Sequence, residues 1–197
     1  RGHGYLHMFG LVEEFILPFV LDHARPGLAV DDIRTRAYLQ FAAEEAKHIH
    51  LFKRFRDEFT SDFGHDCQVI GPPEDVARHV LSHHPLAVAL LILHIEWMTQ
   101  RHYLDSVIGD QELDPLFESL LRHHWMEEAQ HAKLDTLMIQ EMVRDLDDSA
   151  IAEGIDGYMK IGGFLDQGMK TQAGFDLATF ERVTGRALDE EERGRFL

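Results

Sequence analysis

One pattern occurs twice along this chain: a glutamate and then, 32 residues further on, Glu-x-x-His. Glu13 leads to Glu45 and His48, Glu96 leads to Glu128 and His131, and a shift of 83 residues carries the first set onto the second. Residues three apart on a helix share a face, so each Glu-x-x-His can aim a carboxylate oxygen and an imidazole nitrogen at one cation. With 14 histidines in 197 residues the motif alone is weak; its repetition at a fixed interval from a further acid is what constrains the fold.

The surroundings of these acids argue that they point inward. Glu96 lies in the apolar run from Leu86 to Met98, where an unpaired ionised carboxylate would be too costly to bury. Glu13 shares a stripe with Leu6, Phe9, Ile16 and Val20, whereas the stripe through Glu14 includes His7, Gly10 and Pro18, so Glu13 is the better inward candidate. Glu45 has Phe41, Ala42, Ile49 and Phe52 on its face. Four such carboxylates would repel one another in a core, but two divalent cations bring their charge to zero and two neutral imidazoles complete the ligand set.

Helical spacing dominates throughout, so the expected fold is all-α. The expected elements are a helix from about residue 5 to 23 stopped by Arg25-Pro26-Gly27, a second over 33–60 capped by Asp31 or Asp32, and a connector over 61–73 with a short helix over 75–82. A third helix should run over 85–107 and a fourth, started by Asp114-Pro115, to about 146. The long interval between Glu45 and Glu96 implies a crossover, so that helices two and three run parallel. Residues 1–147 then form a four-helix bundle holding two metal ions, and 148–197 a C-terminal extension of two or three helices within one domain. Glycines at 154, 157, 162, 163 and 168 imply either close helix contact or weak helix there.

Composition narrows the function. The net charge of −16 and the absence of a Lys/Arg cluster disfavour nucleic acid and anionic membranes as partners. The single Cys67, read as an inert connector thiol, leaves no disulfide framework or four-cysteine metal site and agrees with a reducing cytoplasm. No basic-then-apolar leader opens the sequence, and its longest apolar run, residues 86–93, falls far short of the ~20 residues that span a bilayer. A soluble cytoplasmic protein is the expectation.

One Glu from each of two helices and Glu-x-x-His from each of two others resembles the ferritin-like di-iron carboxylate superfamily, over about residues 5–146. The resemblance implies metal ligation by Glu13, Glu45, His48, Glu96, Glu128 and His131, by two iron ions or a manganese–iron pair. It also implies that the acids preceding each motif, Glu44 and Glu127, bond the ligand histidine of the opposite helix; the alternative for both is a solvated surface acid. His124, one turn before Glu128, looks like the extra iron ligand of the p-aminobenzoate N-oxygenase family, or is one more histidine of a His-rich chain; its mate under the shift is Phe41. A ribonucleotide reductase radical subunit is disfavoured because Phe52 stands where those proteins place the radical tyrosine. Rubrerythrin is disfavoured by the missing four-cysteine module, and a bacterioferritin cage subunit by the longer crossover and C-terminal extension.

Two functions follow as expectations. The first is a di-iron oxidoreductase or oxygenase that activates O₂ to oxidise a small organic substrate, with an electron donor that the sequence does not name. The second is a ferroxidase or ferritin-like iron storage and detoxification protein, whose acidic surface attracts cations. A metal-free helical interaction protein is a third reading, disfavoured by its buried acids, and a homodimer is compatible with each. Phe15, Phe19, Phe52, Phe55, Trp97 and Trp125 are expected in the core, Thr99 and Gln100 border an oxygen pocket or, the simpler reading, have no role in the site, His94 is expected to point away from Glu96, and His50, His79, His83, His84 and His102 are read as surface or packing residues.

Overall fold

The computed structural model describes residues 2–196. It contains α1 (Gly2–Ala24), α2 (Asp32–Phe63), α3 (Pro73–Leu81), α4 (Pro85–Ser106), α5 (Pro115–Met142), α6 (Asp148–Thr184) and α7 (Glu190–Phe196), with 3₁₀ turns at Arg25–Gly27 and Val143–Asp145. No strand occurs among the described residues. The helix starts follow local chemistry: the side chains of Asp31, Asp114 and Asp147 accept hydrogen bonds from free backbone N–H groups of α2, α5 and α6, and Pro85 and Pro115 occupy first-turn positions that need no donor.

Four helices run alongside one another. Gly2 lies against Phe59 and Gly27 against Thr35, so α1 and α2 are antiparallel. Arg34 pairs with Glu141 and Lys47 with Glu127, which sets α2 antiparallel to α5; Gln100 bonds the Trp125 carbonyl, and α4 packs along α5 from that end. Helices α2 and α4 are therefore parallel, and residues 64–84 with α3 make the crossover between them. Two apolar clusters fill the interior. One contains Leu11, Phe15, Phe19, Phe41, Val88, Ile92 and Met138, the other Leu6, Phe52, Tyr103, Leu120 and Leu121.

The extension holds two helices, as the sequence reading allows: α6 is one helix of 37 residues, followed by the short α7. Its glycines explain how it docks without breaking. A β-carbon at Gly154 would stand 2.7 Å from Leu86 Cδ2, and one at Gly157 2.9 Å from Ala87 Cβ, so both permit close approach to α4. Gly162, Gly163 and Gly174 have open space there. Further along, Gln172 accepts from the backbone N–H of Ile70 at 3.0 Å and donates to the Gln68 carbonyl at 3.2 Å, tying α6 to the crossover.

Two expectations change. Trp97 is 59% exposed, because Glu96 takes the inward position and turns its neighbour out. The uninterrupted run 86–93 is too short to span a bilayer, but the helical segment Gly2–Gly27 holds an 18-residue stretch of mean hydropathy 1.4 and is long and apolar enough to cross a membrane by length and composition. The run-based reading missed it because histidines, glycines and two glutamates interrupt it. Glu13 at its middle is buried and its apolar side packs into both interior clusters, so its composition is that of a core helix.

His7 of α1 is also buried: its Nε2–H donates to the Ile70 carbonyl at 2.6 Å and its Nδ1 accepts from Arg56 at 3.2 Å. Burial, with Arg56 adding to it, holds its pKa below the usual imidazole value of 6.5. The unfolded chain then binds a proton more readily than the folded one, so this contribution is complete above pH 6.5 and is lost as the pH falls through that value towards the folded pKa. Comparing urea midpoints of the wild type and His7→Gln across pH 5–8, the wild type should lose more stability on acidification; parallel curves would rule this out. A second expectation concerns α6. Gly157→Leu should destabilise the chain by about 1–3 kcal/mol by wedging α6 from α4, whereas Gly174→Ala should stabilise it by up to ~1 kcal/mol through helix propensity alone, both read from the same midpoints.

Candidate metal centre

Between the two apolar clusters lies a third, made of charge. Glu13 comes from α1, Glu45 and His48 from α2, Glu96 from α4, and His124, Glu128 and His131 from α5, and none is more than 3% exposed. Ligand atoms of Glu13, His48, His124 and Glu128 all lie within 4.8 Å of one another, and so do those of Glu45, Glu96, Glu128 and His131. Glu128 belongs to both groups and joins them. All seven sequence-expected positions thus come together, while Glu14 turns out to meet Lys53 at 2.7 Å.

The geometry within the cluster is tight. His124 Nε2 stands 2.9 Å from Glu13 Oε1 and 2.8 Å from Glu128 Oε1, and His131 Nδ1 is 2.9 Å from Glu45 Oε1 and 2.8 Å from Glu128 Oε2. His48 Nδ1 lies 3.1 Å from Glu128 Oε1 and 3.6 Å from Glu13 Oε2. The outer nitrogens are held separately, His48 Nε2 by Glu127 at 2.7 Å and His131 Nε2 by Glu44 at 2.9 Å. Each of these acids sits on the helix opposite its histidine. Glu127 is anchored by Lys47 at 2.5 Å and Glu44 by Gln40 at 2.7 Å, so both ring orientations are fixed from the surface inward.

Electrostatics show how poorly this cluster suits a metal-free core. Burial and the neighbouring acids push Glu45 and Glu96 well above the ordinary carboxyl range. Burial also opposes ionisation of Glu13 and Glu128, yet the imidazoles and shared protons around them bring both below it. His48 is raised to about 10 and His124 is raised, in each case against burial, by Glu13 and Glu128. Protons here stand in for cations, and the carboxyls of Glu13, Glu45, Glu96 and Glu128 titrate together.

Even so, six inward atoms have no hydrogen-bond partner among the described residues: Glu13 Oε2, both oxygens of Glu45, His48 Nδ1, Glu96 Oε1 and Glu128 Oε1. Orphaned buried acceptors facing one another, with carboxylate and imidazole donors only, fit divalent metal ions. The two groups differ in character. One offers two imidazoles and Glu13 beside the shared Glu128; the other offers one imidazole, Glu45 and Glu96.

Sequence reasoning missed Asp135. It is fully buried on α5, one turn after His131, and neither oxygen has a partner among the described residues. Burial and the Glu128 charge push it well above the ordinary range. The stripe Leu121, His124, Glu128, His131, Asp135, Met138 would have exposed it, had the α5 face been read past the motif. Under the 83-residue shift its mate is Phe52, as that of His124 is Phe41. Those phenylalanines now wall the site: Phe41 stacks on His131 at 4.0 Å, and Phe52 meets His124 edge-on at 5.0 Å. Thr99 lines a cavity described below, Gln100 Nε2 donates to the Trp125 carbonyl at 3.0 Å, and Cys67 lies in the crossover with its thiol pKa raised by burial.

Comparison with protein-family models, with curated proteins and with solved structures found no match.

Because an unpartnered carboxyl is costly, metal-free Glu96→Leu should be more stable to urea than the metal-free wild type, by about 1–3 kcal/mol. Divalent metal at 100 times its dissociation constant should then stabilise the wild type by about 2.7 kcal/mol and Glu96→Leu far less. A wild type indifferent to both chelator and metal would refute the metal centre.

Proposed function

We propose that this chain is a non-haem di-iron oxidoreductase of the ferritin-like kind, which activates O₂ to oxidise a small organic substrate. The observation that carries this reading is the convergence of Glu13, Glu45, His48, Glu96, His124, Glu128 and His131 in two groups joined by Glu128, closed off from water. Two iron ions held there, or manganese in the more carboxylate-rich group, would supply electrons to O₂ that no side chain of the chain can supply.

The residues have separable duties. Glu128, common to both groups, would be a ligand shared by the two ions, and the remaining acids would balance their charge. Glu127 and Glu44 accept the outer N–H of His48 and His131, which leaves each Nδ1 unprotonated and aimed inward when metal is present. His124 has no such partner at Nδ1 among the described residues and presents Nε2 to the Glu13–Glu128 side. Phe9 and Phe52 pack against the His124 ring and Phe41 against that of His131, excluding water and with it unproductive loss of electrons to solvent.

The net charge of −16 favours a second reading, an iron-handling protein that oxidises Fe(II) for storage or detoxification. The two readings differ in stoichiometry. Anaerobic titration with Fe(II) should saturate at two ions per chain, and oxygen-electrode traces should show O₂ consumption that Glu45→Ala/Glu128→Ala abolishes. Uptake of many irons per chain by a large oligomer would favour storage, and O₂ consumption undiminished in the double variant would sink both.

A further inference from the structure

A cavity of about 520 Å³ lies between α1, α4 and α6, beside the metal-ligand cluster. Its lining reaches the ligand cluster at Phe9. Val12 and Ile95 are the chain neighbours of Glu13 and Glu96, and Phe9 faces the cavity on one side while its ring meets that of His124 at 5.5 Å on the other. The volume falls in the range of small-molecule sites.

The lining has a definite chemistry. Four of the chain's seven methionines, Met8, Met98, Met159 and Met169, contribute to it, and thioether side chains adapt to flexible apolar shapes. Gly162 and Gly163 of α6 keep the wall open, since a β-carbon at either would meet nothing within 4 Å. Polar groups are few and uncharged, apart from Asp166, which is paired with Lys170 at 2.6 Å. His94 is hydrogen-bonded to Tyr158 at 2.7 Å, and His102 to Tyr5. Among the described residues no Lys or Arg lines the cavity, and the chain's own charge is −16, so an anionic head group has no described cation to pair with there.

We propose that this cavity binds the organic substrate of the metal centre, and that the substrate is an uncharged, mainly aliphatic molecule carrying at most a hydroxyl or carbonyl group for the His94–Tyr158 pair. The assignment of a substrate rests on the oxidoreductase reading above; the binding itself does not. The docking of α6 on α4 through Gly154 and Gly157 then has a purpose beyond stability, since it roofs the cavity that α1 and α4 leave open.

Binding is tested on the full chain, without metal, by displacement of the neutral fluorophore 1-aminoanthracene. 1-Decanol should displace it at least ten-fold more strongly than decanoate, and Gly162→Phe should weaken both fluorophore and decanol at least ten-fold. Gly174→Phe, on the same helix but outside the cavity, should bind as the wild type does, and unchanged metal content in both variants shows that the bundle is intact. Equal displacement by decanoate, binding undiminished in Gly162→Phe, or fluorophore release that follows formation of a dimer covering the groove would each overturn the proposal. Iron-loaded protein adds the link to the reaction: decanol should change the rate of O₂ consumption in the wild type by several-fold and in Gly162→Phe hardly at all. No change in the wild type would overturn the assignment as substrate site. A wild type that binds decanol but takes up no metal would instead refute the metal centre, leaving a neutral-lipid pocket.

Discussion

Four glutamates, from four helices, face one another in the middle of this protein, and everything else is arranged around what neutralises them. A buried carboxylate is expensive alone, and two in contact cannot both ionise. Here Glu13, Glu45, Glu96 and Glu128 meet with three imidazoles and almost no other polar partner. Protons can hold such a cluster together only by leaving acceptors orphaned. Divalent cations can satisfy the same atoms and the same charge, so metal binding and the stability of the bundle become one free energy.

That constraint reaches outward in layers. Glu44 and Glu127 cross between α2 and α5 to hold the opposite helix's histidine, so the pair of helices that carry Glu-x-x-His is fixed by the same bonds that orient the rings. Apolar clusters cap the charged centre at both ends and keep its effective dielectric low. Helix α6 lies over the α1–α4 side, close where Gly154 and Gly157 allow contact and apart where Gly162 and Gly163 do not fill the space. The buried centre and the apolar cavity next to it are therefore products of one packing arrangement.

Much of this was legible in the sequence because the cluster obeys helical periodicity twice over. The 83-residue shift singled out Glu13 and Glu96, which have no histidine partner to mark them, and the stripe through Leu6, Phe9 and Ile16 decided between Glu13 and Glu14. Asp135 escaped because it breaks the internal repeat: its mate is Phe52, and nothing in a repeat-based reading looks for an acid opposite a phenylalanine. The unbroken length of α6 was hidden by its glycines, whose cost to the helix is met by contact with α4 at two positions only. Trp97 was read as core because aromatic residues at helical spacing usually are, yet its helix has a single inward face and Glu96 occupies it. The methionine-lined cavity was not legible at all, since Met8, Met98, Met159 and Met169 come from three helices whose neighbours only the fold defines.

The most direct test is diffraction from crystals grown with iron, collected on either side of the iron absorption edge. Two anomalous peaks are expected inside the bundle, one among Glu13, His48, His124 and Glu128 and the other among Glu45, Glu96, Glu128 and His131. A single peak at the surface, or a centre without anomalous signal in protein that retains its iron, would contradict the metal centre on which the proposed chemistry depends.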